Sequence, residues 1–182
     1  MDTSFDAGLE AIASVSSPRF KLRSSRAGCA WWMCCRRWGQ SWLMPPGVAM
    51  PTICDTHILL FWAHEPERLS APAQQALERG RTQSELAIAD ITLWELALLH
   101  ERGRLVLPPD VSQDLYTKQL LAALRLQVLP ITPEIALLSR SNRFLHGDPA
   151  DRLIGATALQ LDAPLITADG KLRTLPELVT IW

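Results

Sequence analysis

Five acidic residues are the side chains of this sequence best suited to metal chemistry; they are Asp55, Glu95, Asp148, Asp151 and Asp169. Carboxylates that converge on one point repel each other unless protons or a divalent cation compensate their charge. A set of oxygen ligands without a Cys group or a His pair favours Mg²⁺ or Mn²⁺ over zinc. Such an ion activates water and orients a phosphodiester, so the pattern indicates metal-assisted phosphoester hydrolysis.

Glu95 is the most informative of these acids. It lies between Ile91 and Leu99 at a spacing of four, so a helix would place its carboxylate on an apolar stripe, and Trp94 and Leu98 are predicted to belong to the core. Burying an unpaired carboxylate is costly, and no Lys or Arg stands four residues away to pair with it. A partner from elsewhere, or a cation, must therefore satisfy Glu95.

The four aspartates each have a local alternative. Asp55 precedes a predicted helix and can cap it. Asp148 is followed by a proline, the pattern of a cap and a first helical residue, and we favour the cap there. Asp151 would then occupy the third helical position, where an acid suits the helix dipole. Asp169 stands before a glycine and is equally compatible with a turn.

The elements that position these acids alternate between strand and helix from residue 51 onward. Strands are predicted at 52–54, 86–89, 127–129, 164–167 and 178–181. Helices are predicted at 56–63, 70–80, 91–102, 111–124, 133–141 and 148–161. Alternation of this kind predicts an α/β fold with a mostly parallel sheet of four or five strands, covered by helices on both faces. Functional groups in such sheets gather at the carboxyl ends of the strands, where these acids would meet.

Composition limits the possible functions. The chain has 182 residues, of which 48% are hydrophobic and 20% charged, a globular mixture with a formal net charge of −1. No apolar run is long enough to predict a membrane-spanning helix. Because the chain is not basic, it must meet any polyanion through a local patch or through a bound cation.

The first part of the chain has a different composition from the rest. The first 50 residues hold six basic and three acidic residues, whereas the remainder holds twelve and sixteen. Cys29, Cys34 and Cys35 lack the spacing of a zinc site, and a disulfide framework is disfavoured because the rest of the chain has cytosolic character. We interpret residues 1–49 as a disordered extension or as a wrongly assigned start, with Met50 as the true first residue. Residues 50–182 would then form the folded domain.

Seven stretches, in this order, resemble the PIN-domain ribonucleases and specifically the toxins of VapBC-type bacterial toxin–antitoxin pairs. They are Ile-Cys-Asp-Thr-His-Ile-Leu-Leu-Phe-Trp (53–62), Arg-Leu-Ser (68–70), Ile-Thr-Leu-Trp-Glu-Leu-Ala-Leu-Leu (91–99), Gly-Arg-Leu (103–105), Leu-Pro-Ile-Thr-Pro-Glu-Ile-Ala (129–136), His-Gly-Asp-Pro-Ala-Asp-Arg-Leu-Ile-Gly-Ala-Thr-Ala (146–158) and Pro-Leu-Ile-Thr-Ala-Asp (164–169). The resemblance covers residues 51–182. It rests on the ordered set, since no single motif is specific.

The resemblance implies an α/β/α sandwich and a metal-dependent endoribonuclease. The catalytic metal-binding acids would be Asp55, Glu95 and Asp151, with Mg²⁺ or Mn²⁺ as the cofactor. Two further acids are implied less directly. Asp148 matches an acid common in this subgroup, and Asp169 stands near the place of a fourth family acid.

The resemblance also implies further roles. Thr167 would contact water or phosphate through its hydroxyl. Apart from the resemblance, the guanidinium of Arg152 is suited to bind phosphate or to pair with an acid. A metal-activated water would attack RNA and leave a 5′-phosphate. The expected partners are RNA, a cognate antitoxin and a second copy of the chain, in the cytoplasm and without a membrane.

Two other classes of function are compatible with the residues. One is a metal-dependent phosphatase or nucleotide hydrolase on a similar scaffold, although His57 stands where an aspartyl-phosphate enzyme would carry its second Asp, and neither common phosphate-binding glycine motif is present. The other is a non-catalytic binding module that keeps the fold. The four histidines, His57 included, are interpreted as surface or core residues.

Overall fold

The computed structural model describes residues 50–145 and 147–182. The predictions made for residues 1–49, and for His146, lie outside these ranges. Among the described residues, no helix is both long and apolar enough to cross a membrane.

Five parallel strands form one sheet, with the spatial order β3-β2-β1-β4-β5. They are β1 (Thr52–Cys54), β2 (Leu86–Ala89), β3 (Gln127–Leu129), β4 (Leu165–Ile166) and β5 (Thr180–Ile181). The central strand β1 lies between β2 and β4, and Cys54 pairs with Ile166 at its end. The predicted parallel sheet is confirmed, and all of its strand pairs are parallel.

Seven α-helices and a single 3₁₀ turn at Pro66–Arg68 connect the strands in the described part of the chain. The helices are α1 (Thr56–His64), α2 (Ala71–Gln83), α3 (Ile91–Glu101), α4 (Gln113–Leu124), α5 (Pro133–Ser139), α6 (Pro149–Gln160) and α7 (Gly170–Arg173). The hydroxyl of Ser70 accepts from the backbone N–H of Ala73 and so caps α2, as its position before that helix predicts. The short helix α7 and the 3₁₀ turn were not predicted, because neither is long enough to show a periodic pattern.

Helices cover both faces of the sheet. Cys54 and Ile166 point into an apolar core shared with α1, α2 and α4, whereas Ile53 and Leu165 point into a second core shared with α6. This division follows from the alternation of side chains along a strand. The three-layer α/β/α arrangement is therefore confirmed.

One prediction about the core is wrong. Trp94 is 58% exposed, although its position beside Glu95 predicted burial. The residues of α3 that are fully buried are Thr92 and Leu96, and Trp94 lies midway between them, about 200° around the helix from each. The apolar stripe read from the sequence was too wide, and Trp94 faces solvent.

Candidate metal centre

Asp55 occupies the end of the central strand and the N-cap position of α1, but its side chain does not cap the helix. Its carboxylate is fully buried. One oxygen, Oδ2, accepts a hydrogen bond from the Thr167 hydroxyl at 2.5 Å, and Nδ1 of His57 lies 3.3 Å from the other oxygen, Oδ1. Thr167 follows β4 directly, so the pairing of β1 with β4 brings these two side chains together. Side chains, rather than helix N–H groups, thus hold the Asp55 carboxylate.

Asp151 joins Asp55 from the opposite layer. It lies in the first turn of α6 and is only 7% exposed. Asp55, His57 and Asp151 each offer one ligand atom, and these atoms all lie within 4.8 Å of one another. Ligand atoms on opposite sides of one cation are separated by roughly 4.2 Å for Mg²⁺ and by about 5 Å for a larger ion, so small side-chain movements would let the three residues share an ion.

Glu95 stands beside this group rather than within it. Its Oε2 accepts a hydrogen bond of 2.6 Å from the Thr56 hydroxyl, which itself lies 3.3 Å from the hydroxyl of the buried Thr92. Burial is the main reason that the pKa of Glu95 is raised to about 7; the Thr56 hydrogen bond opposes the shift, while the nearby charges of Asp151 and Asp55 add to it. The external partner that the sequence required is therefore Thr56, one residue after Asp55.

His57 is the residue of this site that sequence reasoning missed. The hydrogen bond with Asp55 is the largest cause of the rise in its pKa to about 9, and the negative charges of Asp55, Asp151 and Glu95 strengthen it against the opposing effect of burial. Its side chain is 55% exposed, and its ring lies 6.5 Å from that of Phe61, one helical turn further along α1. The sequence signal that could have identified His57 was its position, since a residue in the first turn of α1 must lie near Asp55.

Asp148 and Asp169 act as helix caps. An oxygen of Asp148 accepts from the backbone N–H of Ala150 at 2.9 Å. Oδ1 of Asp169 accepts from the N–H groups of Lys171 and Leu172, and the Asp169 N–H donates to the Thr167 hydroxyl at 3.0 Å. Asp169 thereby supports the threonine that holds Asp55, while its carboxylate is directed to α7.

Arg152 follows Asp151 on α6 but contacts a different part of the protein. Its guanidinium donates to the backbone carbonyls of Ser139, at 2.6 Å, and Ser141, at 3.1 Å. These bonds fasten α6 to the end of α5. The role that the structure gives Arg152 is therefore to hold the helix that carries Asp151.

The chemistry of the donors fits a divalent cation. Two buried carboxylates face each other, and a third lies close enough to raise their mutual repulsion. The nearby thiol, Cys54, belongs to the apolar core, and burial raises its pKa well above the usual range, which removes it as a thiolate ligand. The carboxylate oxygens favour a hard cation such as Mg²⁺ or Mn²⁺.

Comparisons with known proteins relate this chain to one family. The PIN domain family model matches residues 52–178. The chain is 39% identical over 133 residues to ribonuclease VapC22 of Mycobacterium tuberculosis, an alignment that covers 71% of this chain and 97% of that protein. The fold is similar to a crystal structure of VapBC2 from Rickettsia felis bound to a promoter DNA fragment, with a TM-score of 0.54, 20% identity, and coverage of 72% of this chain and 97% of that one. The chain therefore belongs to the PIN-domain family.

Proposed function

We propose that this protein is a divalent-cation-dependent endoribonuclease, using Mg²⁺ or Mn²⁺, and that it is the toxin of a toxin–antitoxin pair. The observation that carries the proposal is the meeting of the buried Asp55 and Asp151 carboxylates at the carboxyl edge of the sheet. The identity with a protein named as a ribonuclease supports the same reaction class.

The residues divide the work as follows. Asp55 and Asp151 would hold the cation, and Glu95, fixed by the Thr56 hydroxyl, would add a third negative charge beside it. When bound, the cation lowers the pKa of a water molecule and neutralises charge on the phosphodiester. Thr167 fixes the orientation of Asp55 through its hydrogen bond to Oδ2. The oxygen of water forms a bond to phosphorus, the bond to the 3′-oxygen breaks, and a 5′-phosphate and a 3′-hydroxyl result.

The same proposal includes the partners and the domain boundaries. A segment of the antitoxin would cover the acidic cleft, and the toxin would form a homodimer in the cytoplasm. The catalytic unit would be residues 50–182, without any contribution from residues 1–49. Membership in the PIN-domain family, together with the His57 position, makes a phosphatase or nucleotide hydrolase the weaker assignment.

The test is RNA cleavage by the purified full chain as a function of added Mg²⁺ or Mn²⁺. We expect cleavage with either cation, none in excess EDTA, and recovery when the cation is restored. Calorimetric titration should show a cation site that is lost in Asp151→Ala. Cleavage that persists in EDTA would refute the metal mechanism, and cation binding without cleavage of any RNA substrate would favour the non-catalytic module.

A further inference from the structure

The donor group at this site contains an atom that an all-carboxylate centre lacks. Among the described residues, the group of ligand atoms that lie within 4.8 Å of one another comprises two aspartates and a histidine. Glu95 lies outside it, and its Oε2 is already occupied by the Thr56 hydroxyl. The third ligand atom of this group is therefore a ring nitrogen of His57.

We propose that His57 is a direct ligand of the catalytic cation, and that its imidazole gives this site a preference for Mn²⁺ over Mg²⁺. The inference rests on the proposed function, because it assigns a ligand to the cation that the function requires. Imidazole suits transition metals, whereas Mg²⁺ takes oxygen ligands and retains several waters.

The position of His57 suits this role. Its helix begins at Thr56, immediately after the strand that ends beside Asp55, so its backbone is fixed relative to the carboxylate. Its ring is half exposed, and its Nδ1 lies 3.3 Å from the buried Asp55 carboxylate.

Electron spin-echo spectroscopy of Mn²⁺ bound to the full-length protein tests the assignment directly. A nitrogen bonded to Mn²⁺ modulates the echo, and the effect does not depend on activity. We expect this ¹⁴N modulation in the wild-type protein and its loss in His57→Ala. The control is His100→Ala, which should leave the modulation unchanged. His100 is engaged elsewhere, because its Nδ1 is hydrogen-bonded to the Leu105 carbonyl.

Calorimetry supplies the second measurement. Loss of one ligand should weaken Mn²⁺ binding by at least about tenfold in His57→Ala, with a change of less than about threefold for Mg²⁺. Mn²⁺ binding without nitrogen modulation in the wild type would overturn the role of His57 and leave the nuclease proposal standing. Absence of Mn²⁺ binding in the wild type would also overturn the role of His57, and absence of both Mn²⁺ and Mg²⁺ binding would overturn the nuclease proposal as well.

Discussion

Asp55 and Asp148 occupy the same position relative to a helix and use it differently. Both are N-cap residues, at the starts of α1 and α6. The Asp148 side chain is exposed and caps its helix, whereas Asp55 is fully buried and its carboxylate is bonded to side chains instead. The difference shows that the neighbouring strand, and not the position in the helix, decides which aspartate caps its helix and which is held by side chains. Thr167 at the end of β4 holds Asp55 away from the helix N–H groups.

The largest effect should come from Asp55→Asn, which removes the charge and preserves the shape. We expect RNA cleavage to fall by more than about 100-fold, the upper figure typical of residues that merely support a metal ligand. The fold should persist, because Asn can still accept the Thr167 hydrogen bond and because one source of carboxylate repulsion is gone. Cleavage rates and thermal unfolding are the measurements, and wild-type activity in this variant would exclude Asp55 as a ligand.

An intermediate effect is expected from Thr167→Val, which removes the hydroxyl that binds Asp55 at nearly constant volume. Positioning residues of this kind typically contribute 10- to 100-fold to metal affinity, so calorimetry should show a loss within about that range. Thr167→Ser retains the hydroxyl and is the matched control. Equal cation affinity in the Val and Ser variants would mean that Asp55 does not need this hydrogen bond.

The smallest effect on the reaction should come from Asp148→Ala. Loss of its capping bond should lower the free energy of unfolding by about 0.5–2 kcal/mol in denaturant titrations, while cleavage stays near the wild-type rate. Asp148→Asn can still cap and should restore most of the stability. If the Ala variant instead folds normally and no longer binds the cation, Asp148 is a ligand and its comparison with Asp55 must be redrawn.

The fold could be predicted from the sequence to a large extent, because short apolar runs alternate with helical patterns and every crossover has a helix. The strand Leu86–Ala89 has the predicted bounds. The strand predicted at 164–167 is shorter in the structure, at Leu165–Ile166, although the Thr167 N–H still donates to the Ile181 carbonyl. Strand ends are the least predictable part of such short elements.

The site was less accessible to sequence reasoning. Because functional groups gather at the carboxyl ends of parallel strands, Asp55 and Asp151 are predicted to lie near each other. This rule does not predict which side chains form hydrogen bonds with them. The places of the Thr56 and His57 side chains depend on the direction in which α1 leaves the sheet. That direction is set by the packing of the whole helical layer. For Trp94 the sequence predicts too much rather than too little. An apolar residue on a helix predicts a place in the core, but none of the elements that the structure describes covers this one.

The pairing of β5 with β4 has a practical consequence for handling the protein. The Thr167 N–H donates to the Ile181 carbonyl at 3.3 Å, and the ring of Trp182 lies 6.4 Å from that of Phe61, the neighbour of His57. Affinity tags or fluorophores fused behind Trp182 would therefore start within two side chains of His57 and the candidate metal centre. Removing these final residues would also expose the edge of β4, and an exposed edge strand can pair with another copy of the chain.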